Sequence, residues 1–189
     1  MRSIKELAGI VSKEIENCLG SVSDEAFQKG LREIEAADQI FVAGAGRSGL
    51  AIRGLAMRLM HAGKKVHVVG DVTTPKITEK DLLIIGSGSG STEALRCYAK
   101  KCKNIGARLL LLTIVPESPI GALADSIIRI PAPSSKARNA AETTDSLQPM
   151  GSLFEQSLFI LGDCLTLEYM EQHRLNGEDM FQAHHANLE

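Results

Sequence analysis

Five short aliphatic runs recur through the middle of this chain: residues 39–43 (QIFVA), 66–70 (VHVVG), 81–85 (DLLII), 108–114 (RLLLLTI) and 126–131 (SIIRIP). Such runs have no polar alternation and therefore no wet face, so each must be covered on both sides. Residues 48–62 and 92–104, which follow the first and third runs, carry helical periodicity, and a short helix is expected near 120–124. Strands that alternate with helices build a parallel sheet through right-handed crossovers. The expected fold is α/β: a doubly wound, five-stranded parallel sheet flanked by helices.

The flanking segments read differently. In the first 37 residues, Ile4, Leu7, Ile10, Val11 and Ile15 fall at helical spacing, and Gly20 with Ser21 closes that helix. Asp24 is expected to cap a second helix, with Phe27, Leu31 and Ile34 on one face. Residues 131–149 hold prolines, serines and alanines without periodicity, and a loop of that length in a compact domain is usually functional. Residues 152–172 form a strong helix whose apolar positions nearly encircle it, which predicts a subunit interface. Asn176-Gly177 breaks that helix. One domain over 1–189 is expected: helices over 1–37, the α/β core over 38–131, and loop, interface helix and tail over 132–189.

Charge and composition narrow the classes of function. With 21 Lys and Arg against 23 Asp and Glu, the net charge of −2 gives no general attraction to nucleic acid or anionic membrane. The charged start, Met-Arg-Ser-Ile-Lys-Glu-Leu, does not fit a signal peptide, and no run approaches the ~18–20 apolar residues of a membrane helix. Cys18, Cys97, Cys102 and Cys164 lack paired metal spacing and read as thiols in a reducing cytosol. The expectation is a cytoplasmic protein with no metal and no nucleic-acid or membrane partner.

Two loops carry the chemistry. Gly44-Ala45-Gly46-Arg47-Ser48-Gly49 follows one strand and opens a helix, and Gly86-Ser87-Gly88-Ser89-Gly90-Ser91-Thr92 does the same forty residues later. Helix N-termini offer unpaired N–H groups and a partial positive charge to an anion, and the serine and threonine hydroxyls add donors. Both loops fall at carboxyl ends of strands, where open α/β sheets bind ligands. The first loop fits GxGxxG, with Asp71 placed where a dinucleotide fold wants an acid. Arg47 and Ser48 inside it, and a second hydroxyl-rich loop, suit a monophosphate better. The remaining alternative is two ordinary helix starts.

Ser87-Gly88-Ser89-Gly90-Ser91-Thr92-Glu93 resembles the phosphate loop of SIS domains, S-x-S-G-x-T, and Gly-Arg-Ser-Gly at 46–49 matches the same class. Within that class several runs resemble the 6-phospho-3-hexuloisomerase family: Gly44 to Gly49, Met57-Arg-Leu-Met-His61, Val68-Val-Gly-Asp-Val-Thr-Thr-Pro75, Gly151-Ser-Leu-Phe-Glu155-Gln and His185-Ala-Asn-Leu-Glu. The resemblance implies interconversion of 3-hexulose 6-phosphate and fructose 6-phosphate, without metal or organic cofactor, in the ribulose monophosphate pathway of formaldehyde fixation. It also implies a homo-oligomer, dimer or tetramer, with active sites at subunit interfaces. At Ser91 the chain departs from the many SIS loops that carry Glu there, and no catalytic role is assigned to that position.

Moving a carbonyl from C3 to C2 needs a base for the C2 proton, an acid/base group for the oxygens, and donors for the enediolate. Glu155 is the leading base, because an apolar helix between Phe154 and Leu158 would desolvate it and raise its pKa. His61, at the end of a crossover helix, and a tail histidine are the other acid/base candidates. The resemblance favours His185 over His184. Gly46, Arg47, Ser48, Ser87, Gly88, Ser89, Gly90, Ser91 and Thr92 are the substrate-binding candidates, with Arg47 facing either the phosphate or the enediolate. A related isomerase, such as one for arabinose 5-phosphate, and a sugar-phosphate-binding regulator are the other readings.

Overall fold

The computed structural model describes residues 1–133 and 146–188. Two helices, α1 (Ile4–Leu19) and α2 (Asp24–Ala36), precede β1 (Ile40–Gly44), α3 (Gly46–His61), β2 (Val66–Val68), β3 (Leu82–Gly86), α4 (Glu93–Ile105) and β4 (Arg108–Thr113). A 3-10 turn over Gly121–Leu123 leads to β5 (Ser126–Arg129), and α5 (Ser152–His173) and α6 (Gly177–His184) complete the chain. All four strand pairings are parallel, in the order β2-β1-β3-β4-β5. The expected five-stranded sheet is therefore present. The order turns back between β1 and β3, which puts the loops that follow them side by side at the switch point.

The two faces of the sheet are covered unequally. Ile40, Val42, Ile84 and Leu110 point into a core shared with α1, α2, α3, α5 and α6, while Phe41, Leu83, Ile85 and Leu111 point toward α4 and the 3-10 turn. Residues 82–85 of β3 are buried on both sides, as their unbroken apolar run requires. Cys102 lies in the second core, where burial pushes its thiol up to about 11, so it packs as a small hydrophobe. No helix among the described residues is long and apolar enough to cross a membrane.

One expectation changes, the burial of α5 within one chain is one-sided, and one loop lies partly outside the described residues. Ser23 rather than Asp24 caps α2: its side chain accepts from the Ala26 N–H, and Asp24 falls in the first turn, where it meets the helix dipole. The apolar girdle of α5 is not buried all round. Leu153, Phe154, Leu158, Leu161 and Leu165 pack on the core, whereas Phe159, Ile160 and Leu167 are exposed. In the loop expected over 131–149, residues 134–145 lie outside the described residues. Its far end is tied down: Glu14 of α1 accepts from the Ser146 hydroxyl (2.6 Å), the Leu147 N–H (2.9 Å) and the Gln148 amide (3.0 Å). The Ser146 hydroxyl is the main reason that the Glu14 carboxyl is held below its usual range.

Candidate functional site

A cleft of about 520 Å³ lies at the carboxyl ends of β1 and β3. Its floor is formed by Gly46, Arg47 and Ser48 of the first loop and by Ser87, Gly88, Ser89 and Thr92 of the second. The first loop is tight because its glycines touch: a Cβ on Gly44 would lie 2.9 Å from the Gly49 Cα, and one on Gly49 would lie 2.8 Å from the Gly44 carbonyl oxygen. No larger residue fits at either position without moving α3 off the end of β1.

The opposite wall is the start of α5, with Pro149, Met150, Gly151, Ser152, Phe154 and Glu155. Met150 adopts φ of 58°, a left-handed conformation that a non-glycine residue seldom takes and that is enriched at binding sites. Gly151 and Ser152 belong to a run that carries the family resemblance and Pro149 marked the end of a loop, but Met150 gave no signal and nothing in the sequence indicates that the loop's end faces the glycine loops.

Helix capping separates the cleft from the rest of the molecule. The first residues of α1, α2 and α6 are capped by the side chains of Ser3, Ser23 and Asn176. The helices that open at the cleft, α3, α4 and α5, have Ala45, Thr92 and Gly151 at the capping position and no side-chain cap bond. Three sets of first-turn N–H groups and three positive dipole ends therefore converge on one cavity that also holds serine hydroxyls. That is the electrostatics of an anion site.

Within the cleft, Arg47 Nε donates to Glu155 Oε2 at 2.5 Å. The Glu155 side chain is 19% exposed and that of Arg47 62%. The surroundings of Glu155 are therefore not purely apolar, as its helix neighbours implied; a guanidinium supplied from 108 residues away is its partner. Two of the expected binding residues do not line the cleft. Gly90 turns beneath the loop against Ser118, and the Ser91 hydroxyl donates to Ser89 Oγ at 3.0 Å. Asp71, the acid that a dinucleotide site would use, is paired with Arg53 at 3.0 Å.

Residues 33–160 match the family model of the SIS domain. The chain belongs to the SIS-domain family. It is 46% identical over 189 residues to the 3-hexulose-6-phosphate isomerase of Bacillus subtilis, with both chains covered completely. It is 40% identical to the 3-hexulose-6-phosphate isomerase of Methylomonas aminofaciens, again over the whole of both chains. Among solved structures it is similar to a Methanococcus jannaschii protein whose crystal structure was taken to infer 3-hexulose-6-phosphate isomerase function. That likeness has a TM-score of 0.82 and 34% identity, and covers 97% of this chain and 99% of the other.

The histidines of this SIS domain stand apart from the cleft. His61 ends α3, about 22 Å along the helix from Gly46 at 1.5 Å per residue. Its ring stacks on His185 with centroids 5.5 Å apart, and the Phe181 ring lies 4.5 Å from that of His185. Both histidines line a second depression with Arg58, Asp163, Met180 and Phe181. The structure thus brings together the two loops and Glu155, and separately His61 and His185, but within one chain it does not bring the histidines to Glu155.

Burial of His61, then the nearby Arg58 cation, then His185 and His184, hold its pKa below the ordinary imidazole value of 6.5. The ring is therefore neutral at pH 7, able to donate from one nitrogen and accept at the other. The sign of the linkage follows. Once the pH falls below 6.5, the unfolded chain binds a proton at this position that the folded chain refuses, so stability declines with further acidification. Thermal melts should show a fall in Tm between about pH 6.5 and pH 5 that is smaller in His61→Gln. An equal fall in both proteins would place the titrating group elsewhere.

Proposed function

We propose that this protein interconverts 3-hexulose 6-phosphate and fructose 6-phosphate through a cis-enediolate held by its phosphate on the two strand-to-helix loops. The convergence of three helix N-termini without side-chain caps on the cleft that contains Glu155 carries this reading. The full-length likeness to enzymes named for this activity supplies the sugar.

Glu155 takes the proton from C2. The C2–H bond electrons become the C2=C3 double bond, and the charge passes to the former carbonyl oxygen at C3. Reprotonation at C3 and transfer of the O2 proton to O3 leave the carbonyl at C2. Arg47, already in contact with the Glu155 carboxylate, is the cation next to that charge. Ser87, Ser89 and the first N–H groups of α4 hold the phosphate, so binding is separate from chemistry.

His61 and His185 serve as acid/base groups when a second copy of the chain brings them to the cleft of the first. Exposed apolar side chains lie on the helices that such a copy would meet: Leu50 and Met57 on α3, Phe159 and Leu167 on α5, and Phe181 on α6. The assembly is a dimer or tetramer, the reaction belongs to the ribulose monophosphate pathway, and the cytoplasm is its place.

The experiment is a side-by-side assay of purified protein on 3-hexulose 6-phosphate and arabinose 5-phosphate. Fructose 6-phosphate from the first, with little ribulose 5-phosphate from the second, is the expected result; the reverse preference would assign the site to the related isomerase. Activity should also survive exhaustive EDTA treatment. Among the described residues the groups in the cleft are hydroxyls, N–H groups and one carboxylate already paired with Arg47, a poor set for a metal ion. Loss of turnover restored by zinc or magnesium would contradict this.

A further inference from the structure

The serine loop is held from beneath by the segment that leaves β4. Thr113, the last residue of β4, is fully buried. Its hydroxyl donates to the Gly88 carbonyl at 3.1 Å and accepts from the Val115 N–H at 3.1 Å. The Ile114 N–H donates to the same Gly88 carbonyl at 3.1 Å, and the Ile120 N–H to the Gly90 carbonyl at 3.0 Å. Gly90, at φ +57°, lies so close that an added Cβ would fall 1.9 Å from Ser118 Oγ.

Two carbonyls of the loop are thus turned into the protein. In a planar trans peptide the N–H points opposite to the C=O. With the Gly88 carbonyl directed down at Thr113 and Ile114, the Ser89 N–H of the same peptide faces away from them, on the side where Ser87, Ser89 and Thr92 line the cleft. Among the described residues the N–H groups of Gly88, Ser89 and Thr92 donate to no protein acceptor. They are the donors left for an anion.

We propose that Thr113 is a positioning residue for the sugar phosphate: its buried hydroxyl locks the Gly88–Ser89 peptide with the N–H toward the cleft. A valine of the same shape would remove the donor to Gly88 and leave the Val115 N–H without its acceptor. The peptide then gains freedom to turn its oxygen, with its negative end, toward the bound phosphate. The inference rests on the phosphosugar reading, but it concerns the phosphate end of the substrate alone.

The test is Thr113→Val in the full chain, with two readouts. Inorganic phosphate, titrated calorimetrically, should bind about tenfold more weakly than to the wild type. KM for 3-hexulose 6-phosphate should rise by a similar factor while kcat stays within about twofold. Thr113→Ser, which keeps the hydroxyl, should restore both. A residue that merely stabilises the fold would lower Tm and the fraction of active protein without moving either affinity, and that pattern would overturn the proposal. If Thr113→Val does not fold, Thr113→Cys, similar in size with a far weaker donor, is read against the same threshold. Weakened phosphate binding in a protein that does not turn over 3-hexulose 6-phosphate would uphold the role of Thr113 and overturn the substrate assignment. Normal turnover with unchanged phosphate affinity would do the opposite.

Discussion

Glu155→Gln should lower kcat by about 10²–10⁴ while KM stays within a few fold. Glutamine keeps the side-chain shape and can still accept from Arg47 Nε, so the wall of the cleft at the start of α5 is preserved. It cannot take up the C2 proton. Exchange of the substrate C2 hydrogen with solvent deuterium should collapse in parallel with turnover, because both need the same proton transfer. Near-native turnover and exchange in the variant would mean that the base lies elsewhere. His61 and His185 would then be examined first by the same exchange measurement.

Replacing Ser87 and Ser89 together by alanine should act on the other parameter. Each hydroxyl that donates to a phosphate dianion contributes about 1.5–3 kcal/mol, so loss of both predicts a KM higher by about 10²-fold or more, with kcat little changed. The fold should tolerate the change. Among the described residues Ser87 caps no helix, and Ser89 accepts only from its neighbour Ser91 within the same loop. Calorimetric titration with inorganic phosphate checks the same claim without the sugar. An unchanged KM in the double variant would remove the phosphate from this loop. Together the two variants separate chemistry from binding, as expected when an anionic handle and a reacting carbon occupy different walls of one cleft.

The sheet and the loops were legible in the sequence because their determinants are local. Residues 81–85 and 108–114 are apolar on both faces, and glycine and serine directly after a strand have few other uses. The partner of Glu155 was not legible. Phe154 and Leu158 beside Glu155 in the helix are apolar, and Arg47 reaches it only because α3 packs against α5. Local sequence gave the same misleading guide at Ser91, which has the composition of a phosphate ligand but turns its hydroxyl to Ser89. Thr113 gave no signal at all, since a threonine ending an aliphatic strand is ordinary until the Gly88 carbonyl is placed over it. The separation of His61 from the cleft was available from helix length alone, because sixteen residues put the two ends of α3 on opposite sides of the domain.

The central claim is that a sugar held by its phosphate exchanges a proton at the carbon next to its carbonyl. It is tested most directly by equilibrating 3-hexulose 6-phosphate with the wild-type protein in D₂O and following the carbon-bound hydrogens by NMR. Fructose 6-phosphate should appear and, over repeated turnovers, accumulate deuterium at C3, the carbon that the enediolate reprotonates. Product that forms through many turnovers with no deuterium at C3 would contradict the proton-transfer account, and so would the absence of fructose 6-phosphate altogether.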